Sequence, residues 1–512
     1  MTDSKVFIPA LTLLGICSLF IFLSPAAALG IILALTLLAL SYRNPFWGIL
    51  VLAVYTPFEP LLLKFVPDNW YLFLRYGGEA FMLALGVILI FQNSNLFRIS
   101  KFDIRNFNPL TIPLFIFLGI ALISMLLNPV SPWYTGLLGL RQVLRYVVLY
   151  YIAAYAGLTR RDITFLLYAM MAVVGVEVLI GALQAVVGAS ADAFLLPGKQ
   201  REFPQLDPVT TVQQFWLAGQ RVFATLGRYD RLGTFLMFFL TLFAGLSFEL
   251  KNPRARILLR GFIILSLPTL FLSYSRMSWL GFALSLVLMG VVLKRSKMLA
   301  GTLVISSVII AAYLVSYLAF SGLQTSRILD SPSMKPAERI LELVSLRGLR
   351  EGYRGLGRAY FVVNVPQKLI AQHPVFGVGP GQFGGGVAAT LKLHQRYDEA
   401  GLPFGIGGVA GQIDNNWFSL WGEVGTLGVL AFLWMLCALW YAAYRTWRTS
   451  HDSLIKGLSI GYMGALCTCV FVAFFGPYFE VRTLSMYMWL FGGIIVAIAK
   501  ERGYQYIRTR TV

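Results

Sequence analysis

An all-α polytopic membrane protein with about 12–14 transmembrane helices and one large extracytoplasmic loop subdomain is the fold class that three observations predict. Hydrophobic residues make up 58% of the 512 positions. Only 13% are charged, about half the quarter usual in soluble domains. The mean hydropathy is +0.72, more apolar surface than a soluble core of this size can hide. Disorder, a secreted disulfide scaffold and an ordinary soluble enzyme are excluded by that balance.

Apolar runs long enough to cross a bilayer, or nearly so, lie near 6–23, 26–42, 46–65, 77–92, 109–128, 137–157, 162–187, 233–249, 257–273, 277–294, 299–320, 417–444, 455–475 and 480–499. A span needs about 20 apolar residues, so the first and fourth runs are the shortest fits. The start of the chain, with Ala26-Ala27-Ala28 after its first run, resembles a cleavable signal. The many runs that follow favour an uncleaved first helix. Cys17, Cys437, Cys467 and Cys469 all fall inside apolar runs, so neither a disulfide framework nor a metal site is expected.

The net charge of +19 reads first as topology, because Lys and Arg are kept in cytoplasmic connections. With the N-terminus inside, those connections hold Arg43; Arg98, Lys101 and Arg105; Arg160 and Arg161; Lys251, Arg254 and Arg256; Lys294, Arg295 and Lys297; and Arg445 and Arg448. Lys500, Arg502, Arg508 and Arg510 form a basic tail, which puts both termini in the cytoplasm. The short outer connections are nearly free of basic residues, and no nucleic-acid partner is implied. The chain divides into N-terminal helices (1–134), central helices (135–320) with an outer loop at 188–230, a large outer loop (321–415), and C-terminal helices with the tail (416–512). Chemistry on that outer face works without cytosolic nucleotides, so its substrate must arrive already activated.

Ionisable residues inside spans are costly and mark functional sites. Arg141 and Arg145 share one helix face and suit a fixed anion such as a diphosphate, with Glu79 and Glu177 as their candidate counter-ions. Arg221, Arg228 and Arg231 form a basic collar before the eighth run, where Asp230 can neutralise one of them. Arg276 stands among hydroxyls in Ser273-Tyr274-Ser275-Arg276-Met277-Ser278. The second outer loop carries Arg358 and the segment His373-Pro374-Val375-Phe376-Gly377-Val378-Gly379-Pro380-Gly381. Its glycines, Gly377 and Gly379 among them, either let backbone N–H groups approach an anion or simply turn the chain. The formal GxGxxG at 379–384 lacks a preceding strand and is no dinucleotide site. A helix beginning near Asn416 would align Asn416, Ser419 and Glu423 as one polar stripe behind Asp414 and Asn415. Trp216, Tyr353, Tyr360 and Tyr397 can stack on sugars or anchor at the interface.

Taken together, Ser275-Arg276-x-x-Trp279-Leu280-Gly281, Arg358, the His373–Phe383 segment, and Asn415 followed by Glu423-x-Gly425-x-x-Gly428 resemble the O-antigen ligase and polymerase family over roughly residues 135–445. The resemblance implies a glycosyltransferase of the bacterial inner membrane. It would take a glycan from a polyprenyl-diphosphate-linked donor and pass it to a glycan or lipid-linked acceptor, outside the cytoplasm, without metal, nucleotide or other cofactor. Counting back from Gly425 puts Asp414 where the family carries a histidine. A carboxylate would then be the base, with Arg221 and Arg276 stabilising the leaving diphosphate. Arg141, Arg145, Arg228, Arg358, Asn415, Glu423, His373, Gly377 and Gly379 complete the expected substrate-binding set, alongside membrane lipids as partners. His373 and His394 are rival bases. An anion transporter, for bicarbonate for example, and a flippase for the same lipid are the alternative functions.

Overall fold

The computed structural model describes residues 25–92, 108–196, 221–321, 337–338, 340–341, 350 and 352–510. The first expected span, Cys17, the connection carrying Arg98, Lys101 and Arg105, and Trp216 lie outside the described residues. The long helices are α1 (Pro25–Arg43), α2 (Pro45–Leu62), α3 (Asp68–Gln92), α4 (Thr111–Leu127), α5 (Thr135–Leu144), α6 (Val147–Tyr155) and α7 (Arg160–Val187). They are followed by α8 (Tyr229–Glu249), α9 (Pro253–Leu272), α10 (Arg276–Leu286, extended by a π-turn to Leu293), α11 (Lys297–Ser321), α12 (Asn416–Thr449), α13 (Ser453–Val472) and α14 (Arg482–Arg510). Shorter helices are named by residue range.

Among the described residues, ten helices are long and apolar enough to cross a membrane. The chain is an all-α, multi-pass membrane protein. The bent pair α5–α6, with 45° between its halves, makes one more span, while Ile32–Arg43 of α1 and the whole of α4 are shorter apolar helices. Two boundaries differ from the apolar runs. α3 starts at Asp68 rather than near 77, which brings Arg75 onto the helix. α14 continues to Arg510, so the basic tail prolongs the last span.

Lipid-facing and central helices separate by burial. None of the apolar window of α11 is buried, against 89% of α8 and 83% of α14. α8 and α13 touch backbone to backbone: a Cβ on Gly245 would stand 2.3 Å from the Gly461 Cα. Small residues permit such contacts where lipid offers no hydrophobic drive between helices. Phe235, Phe238 and Phe239 of α8 stack around Tyr487 of α14.

Residues 352–413 build a small subdomain around Phe361, Val365, Leu369, Phe383, Tyr397 and Phe404. The Tyr397 hydroxyl ties it together, accepting from the Gly384 N–H (2.7 Å) and donating to the Gly411 carbonyl (2.6 Å). α12 is broken where this subdomain meets it. Gly425 has φ +69°, and a Cβ there would stand 2.2 Å from the Val375 carbonyl oxygen. Only glycine tolerates both demands.

Candidate functional site

One end of the bundle opens into a cavity of about 1010 Å³. Nine arginines and one lysine line it against four carboxylates, those of Glu59, Asp230, Asp414 and Glu480.

Each contributor is fixed by its own element. The segment Val222–Leu226 is suspended from α7: Phe223 and Ala224 N–H groups donate to Gln184 Oε1 at 3.0 and 2.9 Å, and the Thr225 N–H to Glu177 Oε2 at 3.1 Å. This segment delivers Arg221, whose guanidinium stands 4.3 Å from the centre of the Tyr229 ring. Glu177 is therefore the clamp for Thr225 rather than a counter-ion of Arg141 and Arg145. At the start of α8, Arg228 grips Asp230 with two nitrogens, at 3.0 and 3.2 Å. Asp230 beside it pushes the Arg228 pKa up, outweighing burial.

The turn before α10 is held by hydroxyls. Ser273 Oγ donates to the Leu270 carbonyl (2.6 Å), Ser275 and Ser278 hydroxyls pair at 2.7 Å, and Trp279 Nε1 donates to the Leu270 carbonyl at 2.9 Å. Gly233 of α8 leaves room for this turn, since a Cβ there would meet Ser275 Cβ at 2.5 Å. Arg276 is thus presented at a helix start packed directly on α8.

α3 supplies the floor. Glu79 takes Arg141, Arg145 (3.3 Å) and Arg482 (3.4 Å), and Arg482 also pairs with Glu59. Arg482 further donates to the Arg75 carbonyl at 3.1 Å. The α5–α6 break falls where Arg145 reaches both Glu79 and the Glu480 carbonyl. Among the described residues Arg75 Nε is buried with no hydrogen-bond partner, and Arg75, Arg228, Arg231 and Arg482 line the same cavity.

The subdomain closes the cavity with Arg358, which begins the helix Arg358–Val365 and holds Asp414 at 2.9 Å. Burial works against the Arg358 charge, but Asp414, Tyr478 and Tyr229 together more than offset it and the pKa is raised. Asp414 occupies the left-handed region (φ +47°) two residues before the start of α12. Asn415 is the residue that caps α12, accepting from the Phe418 N–H at 3.1 Å. Tyr478 lies beneath, where burial holds its phenol well above the usual range. Glu480 lies between α5, α12 and the Gly386 loop, and burial pushes its carboxyl up to about 7.

The structure therefore gathers Asp414, Arg221, Arg276, Arg141, Arg145, Arg228 and Arg358 around one cavity. It does not bring Asn415, Glu423, His373, Gly377 or Gly379 to the lining. Asn415 is occupied as a cap. Glu423 is buried and accepts from the Phe383 N–H at 3.4 Å. The N–H groups of Val378 and Gly379 go to the Gly422 and Glu423 carbonyls (2.8 and 2.9 Å), and Gly377 N–H to the His373 carbonyl (3.2 Å). These glycines let the loop lie flat against α12, so their amides are spent within the protein rather than aimed at an anion. The stripe of Asn416, Ser419 and Glu423 does face inward, Ser419 and Glu423 against residues 383–385 and Asn416 against Phe479 and Glu480. His394 stacks on Phe404 at 3.8 Å.

Lys64, Arg75, Arg482, Glu59 and Glu480 line the cavity without having been singled out in the sequence. Glu480 and Arg482 stand inside the last apolar run, so the rule on ionisable residues in spans would have found them. Among the described residues no three His, Cys, Asp or Glu side chains converge as a metal site. No family model matches the chain, and no curated protein matches it.

Proposed function

We propose that this protein is a glycosyltransferase of a bacterial cytoplasmic membrane, working on the extracytoplasmic face. It moves a glycan from a polyprenyl diphosphate to a hydroxyl of a second glycan or lipid-linked core, as in O-antigen-like or exopolysaccharide synthesis. The observation that carries this reading is the excess of guanidinium groups in one sheltered cavity at the mouth of an apolar bundle. A lipid diphosphate matches both features: its head is a compact polyanion and its tail needs hydrocarbon.

Breaking a glycosyl–phosphate bond builds negative charge on the leaving oxygen. Fixed guanidinium groups in a site shielded from water stabilise that charge by about 3–4 kcal/mol for a well-placed donor. Arg221 and Arg276 flank the start of α8 and are assigned this role, with Arg141, Arg145, Arg228 and Arg358 shaping the surrounding field. Tyr76, Tyr229 and Tyr274 on the lining offer rings for sugar faces.

Orientation is supported by the opposite end of the bundle, whose short connections and adjoining helix ends carry Arg160, Arg161, Lys251, Lys294 and Lys456. By the positive-inside rule that end is cytoplasmic and the cavity opens outward. The lining comes from helix ends and loops on one side, which favours a reaction at the surface over a path through the bundle for an anion.

The test is purified protein in lipid nanodiscs supplied with a polyprenyl-diphosphate-linked oligosaccharide. Longer glycans and released polyprenyl diphosphate are expected. Intact donor after prolonged incubation, with anion flux in proteoliposomes, would overturn the reading in favour of transport.

A further inference from the structure

Attack of a hydroxyl on an anomeric carbon needs a proton acceptor, and four carboxylates reach the cavity. Three are held by guanidinium groups: Glu59 by Arg482, Asp230 by Arg228 at 3.0 Å, and Asp414 by Arg358 at 2.9 Å. Each of these three carboxylates is therefore already engaged by a cation. Glu480 is bound in another way. Its Oε1 accepts from Asn416 Nδ2 at 2.9 Å, and its Oε2 accepts from Gln142 Nε2 and from the Gly386 N–H at 3.2 Å. All three donors are neutral, and among the described residues no cation pairs with its side chain; Arg145 takes its main-chain carbonyl instead.

We propose that Glu480, rather than Asp414, is the catalytic base, an assignment that rests on the transferase reading above. The acceptor oxygen forms its bond to the anomeric carbon as its proton passes to Glu480. The bond from that carbon to the phosphate oxygen breaks, and its electron pair leaves on the diphosphate. Glu480 ends as a neutral acid and returns its proton to water. Asp414 is then a positioning residue that orients Arg358.

The surroundings fit a base. A carboxylate oxygen has two acceptor positions, so Oε1, with one donor, keeps one for an incoming hydroxyl. Glycine stands beside it: a Cβ on Gly385 would come within 3.2 Å of Oε1. The charged and titratable groups facing Glu480 are Arg145 from the α5–α6 break, Glu423 from α12 and Tyr397 from the subdomain, while Arg482, two residues on, pairs with Glu59 and Glu79. Arg145 favours the anion, whereas burial is the largest influence and opposes it. With the carboxyl pushed up to about 7, its proton is exchangeable near neutrality, the range in which a general base works best.

The experiment is the single-turnover rate of glycan transfer in nanodiscs across about pH 5–9, with thermal melting of each variant as a folding check. The wild-type rate should rise through neutrality and level off as Glu480 ionises. Glu480→Gln should lower the plateau on the order of 10²-fold and lose the acid limb. Glu480→Asp should restore a limb, and Asp414→Asn should keep it. An acid limb that persists in Glu480→Gln would overturn the assignment even if the rate fell, because a merely structural tie would behave that way. Loss of the limb in Asp414→Asn would return the role to Asp414. Wild-type protein that forms no product overturns the transferase reading itself, and this assignment with it.

Discussion

Glu249 at one end of the bundle and Asp230 at the other are both carboxylates at the ends of α8, yet their surroundings differ. Glu249 draws Lys294 (2.9 Å), Trp447 Nε1 (2.8 Å) and Lys456 (3.9 Å), fastening α8, α10, α12 and α13 together. Close by, Arg160 meets Asp452 at 2.5 Å, joining α7 to α13. Charge at that end serves as fastening. Asp230 pairs with Arg228, in a cavity lined by ten basic side chains and four acids. Like charges held together in a shielded space repel, and the fold bears that cost. The difference teaches where to look for a ligand: in the region whose own counter-charges fall short.

Removing one charge from each end should separate the two roles. Arg276→Ala is expected to lower glycan transfer by about 10²–10³-fold, measured as turnover of lipid-linked donor, with the melting temperature little changed. Arg276→Lys should recover little, because a point charge does not reproduce a planar guanidinium fork. The mirror-image change, Glu249→Gln, should lower unfolding stability by about 1–3 kcal/mol while leaving turnover per folded molecule intact. If Glu249→Gln cut turnover and spared stability, the division between the ends would be wrong. Asp414→Asn should cost transfer about tenfold, since Arg358 loses its partner and orientation but keeps its charge. The smallest effect is assigned to Arg160→Ala. Arg160 is mostly exposed, so denaturation should shift by no more than about 1 kcal/mol. A larger shift would mean that the opposite end is strained too.

The spans were legible because each must satisfy the bilayer by its own length and hydropathy. The α5–α6 run at 137–157 shows the limit of that reading: hydropathy found one span, but the structure bends it by 45° at Arg145. In the site, Arg221, Arg276 and Arg358 stood out as charges in loops flanking apolar runs. Arg75 did not, because α3 begins before its apolar run and carries Arg75 about two turns in, ahead of that run. Gly377 and Gly379 read equally as an anion cradle or as a turn of the chain, and the choice depends on the kink at Gly425, which no local pattern announces.

The sequence by itself determined the class of protein, the placement of its apolar helices and the abundance of arginine beside them, because hydropathy and charge act segment by segment. Tertiary structure decided which charges are matched. Arg358 finds Asp414 across 56 positions, Arg141 finds Glu79 across 62, and Arg482 finds Glu59 across 423. Coulomb energy depends on distance in space, and only the packed bundle sets those distances, leaving Glu480 among neutral donors and the cavity rich in positive charge.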